Sequence, residues 1–317
     1  MTTTFLPKVG GPLYLTDSGL ETTLIFHEGQ ELPYFAAFDL LKTEDGRASL
    51  KAYYMRHGEI ALAQGMGFLM EGPTWRASAD WGDKLGYAPD ELAAANRASI
   101  ELMQSVRDSL KARGDIPVLV SGCIGPRGDG YVAGDAMTAE EAHAYHQAQA
   151  IAFKEARADM IGAITMTNIP EATGVALAAK TAGIPVAISF TVETDGRLPS
   201  GDSLKSAVAV VDAATGGYPA YYMINCAHPE HFDHVLESGA AWMDRIGGMR
   251  ANASRCSHAE LDEAEDLDDG NPEELGQQYR ALLQAHPQIV VLGGCCGTDH
   301  RHIHSIAKAC VPLGQAA

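Results

Sequence analysis

The feature that most restricts this chain is an alternation. Eight short apolar or β-branched runs stand at 13–16, 68–71, 117–121, 160–165, 185–190, 220–225, 243–248 and 289–292. Between and after them lie helix-like segments near 49–64, 90–112, 138–158, 171–182, 203–215, 230–238, 272–285 and 300–310. Several of these open on recognisable caps: Thr138 stands three residues before Glu141, and Asn271-Pro272 precedes Glu273 and Glu274. Eight strands alternating with eight helices is the count of an α/β protein of the (β/α)8 or TIM-barrel type. A doubly wound sheet writes a similar string, and the barrel is the expectation adopted. No low-complexity linker or short internal repeat divides the 317 residues, so 1–317 reads as a single domain.

Composition narrows the partners. With 23 basic and 41 acidic residues the formal charge is −18, a field that repels phosphate backbones and anionic lipid. Neither nucleic acid nor a membrane surface is an expected partner. The first ten residues lack the basic start and apolar run of a signal peptide, and no apolar run approaches the ~20 residues of a membrane span. A soluble, cytoplasmic protein is expected, and there the six cysteines are not a disulfide framework. The acidic stretch 258–274 reads as a solvated loop before the penultimate helix, the other reading being a flap beside the active face. It is no calcium loop, because Leu267 falls where the third ligand of Glu265-Asp266-Leu267-Asp268-Asp269-Gly270 should be.

The sharpest local signal is Gly293-Gly294-Cys295-Cys296-Gly297, directly after the last apolar run. Adjacent cysteines rarely bridge each other, because the geometry is strained, and flanking glycines let the backbone turn so that both sulfurs converge. A third thiol, Cys226, follows Ile224-Asn225 at the end of the sixth run. In a parallel barrel the ends of strands six and eight open on one face, so Cys226, Cys295 and Cys296 can meet across about 70 residues of sequence. Three thiolates suit Zn2+ and leave its fourth position open, the pattern of a catalytic site. The competing reading is three buried apolar cysteines. Cys123 can line the same mouth, whereas Cys256 and Cys310 look incidental. A thiolate-rich zinc is suited to presenting a substrate thiol as a nucleophile at neutral pH, and attack on an activated methyl group follows naturally.

Across nearly its whole length the sequence resembles the homocysteine S-methyltransferase family. Asp17-Ser18-Gly19-Leu20-Glu21-Thr22 is similar to that family's first-strand motif, and Thr74-Trp75-Arg76-Ala77 to the segment after its second strand. Ser189-Phe190-Thr191 with Asp195-Gly196 and Gly201 is similar to the fifth-strand region, and the two cysteine motifs resemble the family's zinc motifs. The resemblance implies a (β/α)8 barrel, zinc held by Cys226, Cys295 and Cys296, and methyl transfer to homocysteine giving methionine. It implies that Asp17 positions the amino-acid acceptor, with Thr74 and Asn252 also lining its pocket. The family commonly carries a Glu after strand four that contacts the acceptor's ammonium. Here Thr167 or Asn168 takes that place, so either Glu21, Glu71 or Glu193 compensates or the acceptor is another thiol.

The donor is read from what is missing. There is no GxGxxG or GxxxxGK loop, and with the sequence read to 317, soon after its eighth strand, no folate, cobalamin or added C-terminal module is expected. A small sulfonium donor such as S-methylmethionine or S-adenosylmethionine is expected, its charge bound by groups such as Trp75, Trp81 and Tyr131. The expected partners are thus a small-molecule thiol acceptor and a methyl donor. His300, His302 and His304, like His228, His231 and His234, are read as surface or supporting residues. A non-catalytic zinc or redox-sensing barrel is the rival from a different class.

Overall fold

A computed structural model describes residues 6–134, 137–264 and 266–314, without the side chains of 312–314. Residues 1–5 of the N-terminal lead and Glu265 of the acidic stretch therefore lie outside the described residues. Eight parallel strands close into a barrel in sequence order: β1 Tyr14–Leu15, β2 Gly67–Glu71, β3 Val118–Ile124, β4 Met160–Met166, β5 Val186–Thr191, β6 Tyr221–Asn225, β7 Ile246–Ala251 and β8 Val291–Gly294. β1 closes the ring on β8 through Tyr14 opposite Val291 and Leu15 opposite Leu292. Every strand residue is buried, as it must be where side chains fill the barrel inside and helices cover it outside.

The caps visible in the sequence form. Thr138 Oγ1 accepts from Glu141 N–H while Glu141 accepts from Thr138 N–H, and helix Ala139–Glu155 follows. Asn271 caps helix Pro272–Ala285 by accepting from the N–H groups of Glu273 and Glu274. The first long helix is Glu44–Gln64 and starts earlier than the apolar pattern, at an N-cap from Thr43. The helix expected over 230–238 is only Pro229–Phe232 with a 3-10 turn at Asp233–Val235.

Two departures bear on function. The seventh strand lies later than 243–248, because Ala241–Arg245 is a 3-10 turn pinned by Arg245 to Asp212 at 2.8 and 3.0 Å. That shift carries Arg250 and Asn252 to the C-terminal face. The paired glycines that end β8 do more than turn the chain. A Cβ on Gly293 would sit 1.8 Å from Thr16 Oγ1, and one on Gly294 2.1 Å from Thr298 Oγ1. Close approach of the β1 end demands the first, and the fold of the β8 loop back on its own strand demands the second; of the three motif glycines only Gly297, at φ +74°, makes a left-handed turn. Among the described residues no helix is long and apolar enough to cross a membrane.

Candidate active site

The C-terminal ends of the strands surround a pocket of about 320 Å3. At one side stand Cys226, just after β6, and Cys295 and Cys296, just after β8, with their three sulfurs all within 4.8 Å of one another. Cys226 and Cys296 Sγ are 3.3 Å apart. Cys226 holds φ at +54°, a conformation costly for a residue with a Cβ, and its surroundings enforce it. Asn225, immediately before it, ties three strand ends together. Its Oδ1 accepts from Thr165 N–H (3.0 Å) and Ser189 Oγ (2.6 Å), and its Nδ2 donates to Thr165 Oγ1 (2.9 Å). His258 Nε2 donates to the Cys226 carbonyl oxygen (2.7 Å), and the imidazole stacks on Tyr131, ring centres 4.2 Å apart. The Tyr131 hydroxyl in turn reaches Cys296 Sγ at 2.9 Å and Cys226 Sγ at 3.3 Å.

Hydrogen bonding among the three thiols divides their titration. Cys295 is drawn well below the ordinary thiol range because Cys226 and Cys296 donate to it, while Cys226 is pushed well up. One thiolate among three is what mutual repulsion permits without a cation; a divalent metal permits all three.

Below the sulfurs lies a charged layer. Asp17 and Arg250 are buried and paired, Oδ1 to Nη2 at 3.3 Å, and Tyr53 donates to Asp17 Oδ2 at 3.2 Å. Arg250 also donates to the carbonyls of Gly294 (3.1 Å) and Ser18 (3.3 Å), which braces the β8 loop against the β1 loop. Ser18 Oγ meets Nε2 of His57 at 2.8 Å, and burial lowers the His57 ring to about 4. Burial pushes the carboxyls of Glu21 and Glu71 up to about 7 each, the charges of Cys295 and Asp17 adding to the rise at Glu21.

The mouth is aromatic and acidic. Arg76 lies between the rings of Trp75 and Trp81, at 4.0 and 3.9 Å, and Phe26 and Phe35 stand at the rim. Asp129 and Asp262 face the opening, together with Asp266 and Asp268. The acidic stretch is therefore no detached solvated loop: Leu261, Asp262, Ala264 and residues 266–268 line the pocket.

The pocket brings together the three cysteines, Asp17, Glu21, Asn252 and Cys123. Thr74 is fully buried, donating to the Cys123 carbonyl (2.8 Å) and accepting from its N–H (3.1 Å), so it locks β3 to the β2 loop and does not line the pocket. Thr167 and Asn168 are also elsewhere. They face a second cavity beside Asp80, Arg127 and Glu171, and Asn168 caps the helix Ile169–Ala182 by accepting from Glu171 N–H. The physical reason is local: the β4–β5 register shifts between Ala163 and Met166, with Thr165 at φ +67°, which redirects the side chains that follow. Glu193 is held by His258 Nδ1 at 3.1 Å, away from the pocket. Of the six histidines singled out at 228, 231, 234, 300, 302 and 304, His228, His231 and His302 are buried, and the only group with metal-ligand convergence among the described residues is the cysteine trio. The pairing of Arg250 with Asp17, 233 positions apart, and the bracing by His258 carry no local sequence signal.

Comparison with known proteins fits this arrangement. A family model described as homocysteine S-methyltransferase matches residues 15–310. A selenocysteine Se-methyltransferase from Brassica oleracea var. italica is 26% identical over 329 residues, covering 96% of this chain and 91% of that protein. Among solved structures, the homocysteine methyltransferase MmuM from Escherichia coli in its oxidized form is similar with a TM-score of 0.74 at 19% identity, covering 94% of this chain and 96% of the other. Its metallated form gives 0.71 at the same identity and coverage.

Proposed function

The chain belongs to the homocysteine S-methyltransferase family, and from that premise we propose that it methylates the thiol of homocysteine at a zinc ion held by Cys226, Cys295 and Cys296, using a small sulfonium donor. The single observation that carries the metal reading is the convergence of three sulfurs at the pocket. Zn–S bonds of about 2.3 Å in a tetrahedron place sulfurs about 3.8 Å apart. The Cys226–Cys296 separation of 3.3 Å and the 4.8 Å limit for the trio bracket that value. When bound, zinc offers a fourth position and lowers the pKa of a thiol placed there.

The chain's own residues supply the rest. Asn225 fixes the backbone that presents Cys226, and Arg250 holds the β8 loop through the Gly294 carbonyl. Asp17, its charge balanced by Arg250, shapes the floor with Glu21. An entering thiol replaces the contacts of the Tyr131 hydroxyl with Cys226 and Cys296. The acidic rim and Trp75 favour a cationic donor. Its methyl carbon forms a bond to the acceptor sulfur as the old carbon–sulfur bond breaks toward the donor sulfur. The donor leaves as a neutral thioether, so no acid is required to protonate it.

A different acceptor thiol is the second reading, favoured by the position of Thr167 and Asn168 outside the pocket, where β4 offers no carboxylate. The test of the main reading is to incubate zinc-loaded protein with homocysteine and S-methylmethionine or S-adenosylmethionine, and to quantify methionine by mass spectrometry. Zinc-dependent methionine is expected. Folded, zinc-replete protein that yields none with either sulfonium compound would overturn it.

A further inference from the structure

One carboxylate in the pocket has nothing to hold. Glu71, the last residue of β2, is 3% exposed and lines the pocket, and neither Oε1 nor Oε2 has a hydrogen-bond partner. No ion pair to it forms among the described residues. Arg250, the nearest source of positive charge, is committed elsewhere, to Asp17 Oδ1 and the carbonyls of Ser18 and Gly294. Space is kept for this carboxylate: a Cβ on Gly162 of β4 would stand 2.5 Å from both of its oxygens. Ser121, paired in register with Glu71 on β3, also has a buried hydroxyl without a partner. Register partners on parallel strands turn their side chains to the same face.

A buried carboxylate without donors is expensive, and native structures rarely keep one without a use. Three acceptor oxygens on adjacent strands match the three donors of an ammonium group. We infer that Glu71, assisted by Ser121, is the receptor for the ammonium group of the acceptor, so that the pocket selects an aminothiol whose amine reaches the barrel floor while its sulfur stands at the three cysteines. The inference rests on the reading of thiol methylation above and assigns the acceptor's countercharge to β2. Asp17 is already neutralised by Arg250, and Glu21 is less buried. The rise of the Glu71 carboxyl to about 7 is that of a group awaiting a cation. A sulfonium donor is also cationic, but Glu71 lies within the strand ladder, whereas Asp129, on a loop, and Asp262, at the end of the short helix His258–Asp262, are exposed at the mouth.

The test needs no methyl donor. In cobalt(II)-substituted protein, thiol binding is read from thiolate-to-cobalt charge-transfer absorbance on titration with three thiols: homocysteine, 4-mercaptobutyrate, which lacks the amine, and 3-mercaptopropylamine, which lacks the carboxylate. In the unmodified protein the two amines should bind about 100-fold more tightly than 4-mercaptobutyrate. Glu71→Gln should erase that preference by weakening the amines, leaving 4-mercaptobutyrate unchanged or tighter. Glu71→Asp, which keeps the charge, should retain the preference at reduced strength. Equal binding of homocysteine and 4-mercaptobutyrate to the unmodified protein would overturn the inference, as would a Glu71→Gln variant that still prefers amines. So would a Glu71→Gln variant that weakens only S-methylmethionine, measured by calorimetry, since the carboxylate would then serve the donor. If no thiol perturbs the bound cobalt, the thiol-at-metal reading itself falls and the inference with it.

Discussion

The sulfur cluster and the charged layer beneath it are built on opposite principles. Around Cys226, Cys295 and Cys296 nearly every polar group has a partner: Asn225 spans three strand ends, His258 holds the Cys226 carbonyl, and Tyr131 contacts two of the sulfurs. In the same pocket, Glu71 has two orphaned oxygens and Glu21 titrates near neutrality. A braced cluster with a strained φ at Cys226 suits something held in a fixed geometry. An unsatisfied carboxylate suits a group that arrives and leaves, because the cost of burying it is recovered only in the complex. Rigidity and unfulfilled polarity therefore mark two different kinds of site within one pocket.

The comparison breaks most severely if the cluster tolerates loss of a sulfur. Cys295→Ala should reduce bound zinc below stoichiometry and lower turnover by more than about 1,000-fold, as removal of a member of a cooperative site does. Cys123→Ala, in the same pocket but outside the trio, should leave zinc at one per chain. Metal analysis of the two variants is the check. Equal zinc in both would remove Cys295 from the proposed ligand set.

The floor makes the converse prediction, that removing a charge stabilises the empty protein. The folded Glu71 carboxyl titrates at about 7 against an ordinary 4.5, so between those values the unfolded chain has already released a proton that the folded protein still holds. Its raised pKa favours the fold fully below pH 4.5 relative to the ionised state, and that contribution is lost as pH rises through 7. The difference corresponds to about 3 kcal/mol. Glu71→Gln should therefore gain stability over the unmodified protein by up to about 3 kcal/mol at pH 8 and by much less at pH 4.5. Urea unfolding at the two pH values measures it. A gain of the same size at both would mean that Glu71 is not the orphan its geometry describes.

The two regions also differed in how far the sequence exposed them. The barrel was legible because apolar runs of strand length recur between helical stretches, and the cysteine trio because adjacent thiols between glycines are poor packing material. Strand seven was displaced since Met243 and its neighbours are as apolar as a strand, and only the pairing of Arg245 with Asp212 reveals a 3-10 turn there. Thr167 and Asn168 were expected at the pocket because spacing alone cannot show the register shift in β4 that turns them away. Glu71 could be named only as one of several carboxylates. What sets it apart, two oxygens without donors opposite Gly162, exists only when β2, β3 and β4 are assembled.

Smaller effects sharpen the contrast within the cluster. Asn225→Ala leaves all three sulfurs but removes the bonds to Thr165 and Ser189 that hold the β6 end. Supporting residues of this kind typically contribute 10- to 100-fold to metal affinity, and a loss in that range is expected in competition with a chelator. An unchanged affinity would show that the strain at Cys226 is held by other contacts, His258 foremost.

The smallest expected change is the most discriminating. Tyr131→Phe deletes one hydroxyl while keeping the ring that stacks on His258. If that hydroxyl occupies the position an acceptor thiol must take, its removal lifts a competing contact and thiol binding should tighten by about 3- to 10-fold, the net worth of one hydrogen bond. Zinc content should stay at one per chain, because the hydroxyl is not among the three sulfurs. Weaker thiol binding with intact zinc would instead make Tyr131 a donor to the bound thiolate. The cluster would then share the property of the floor beneath it, a polar group kept in readiness for the substrate.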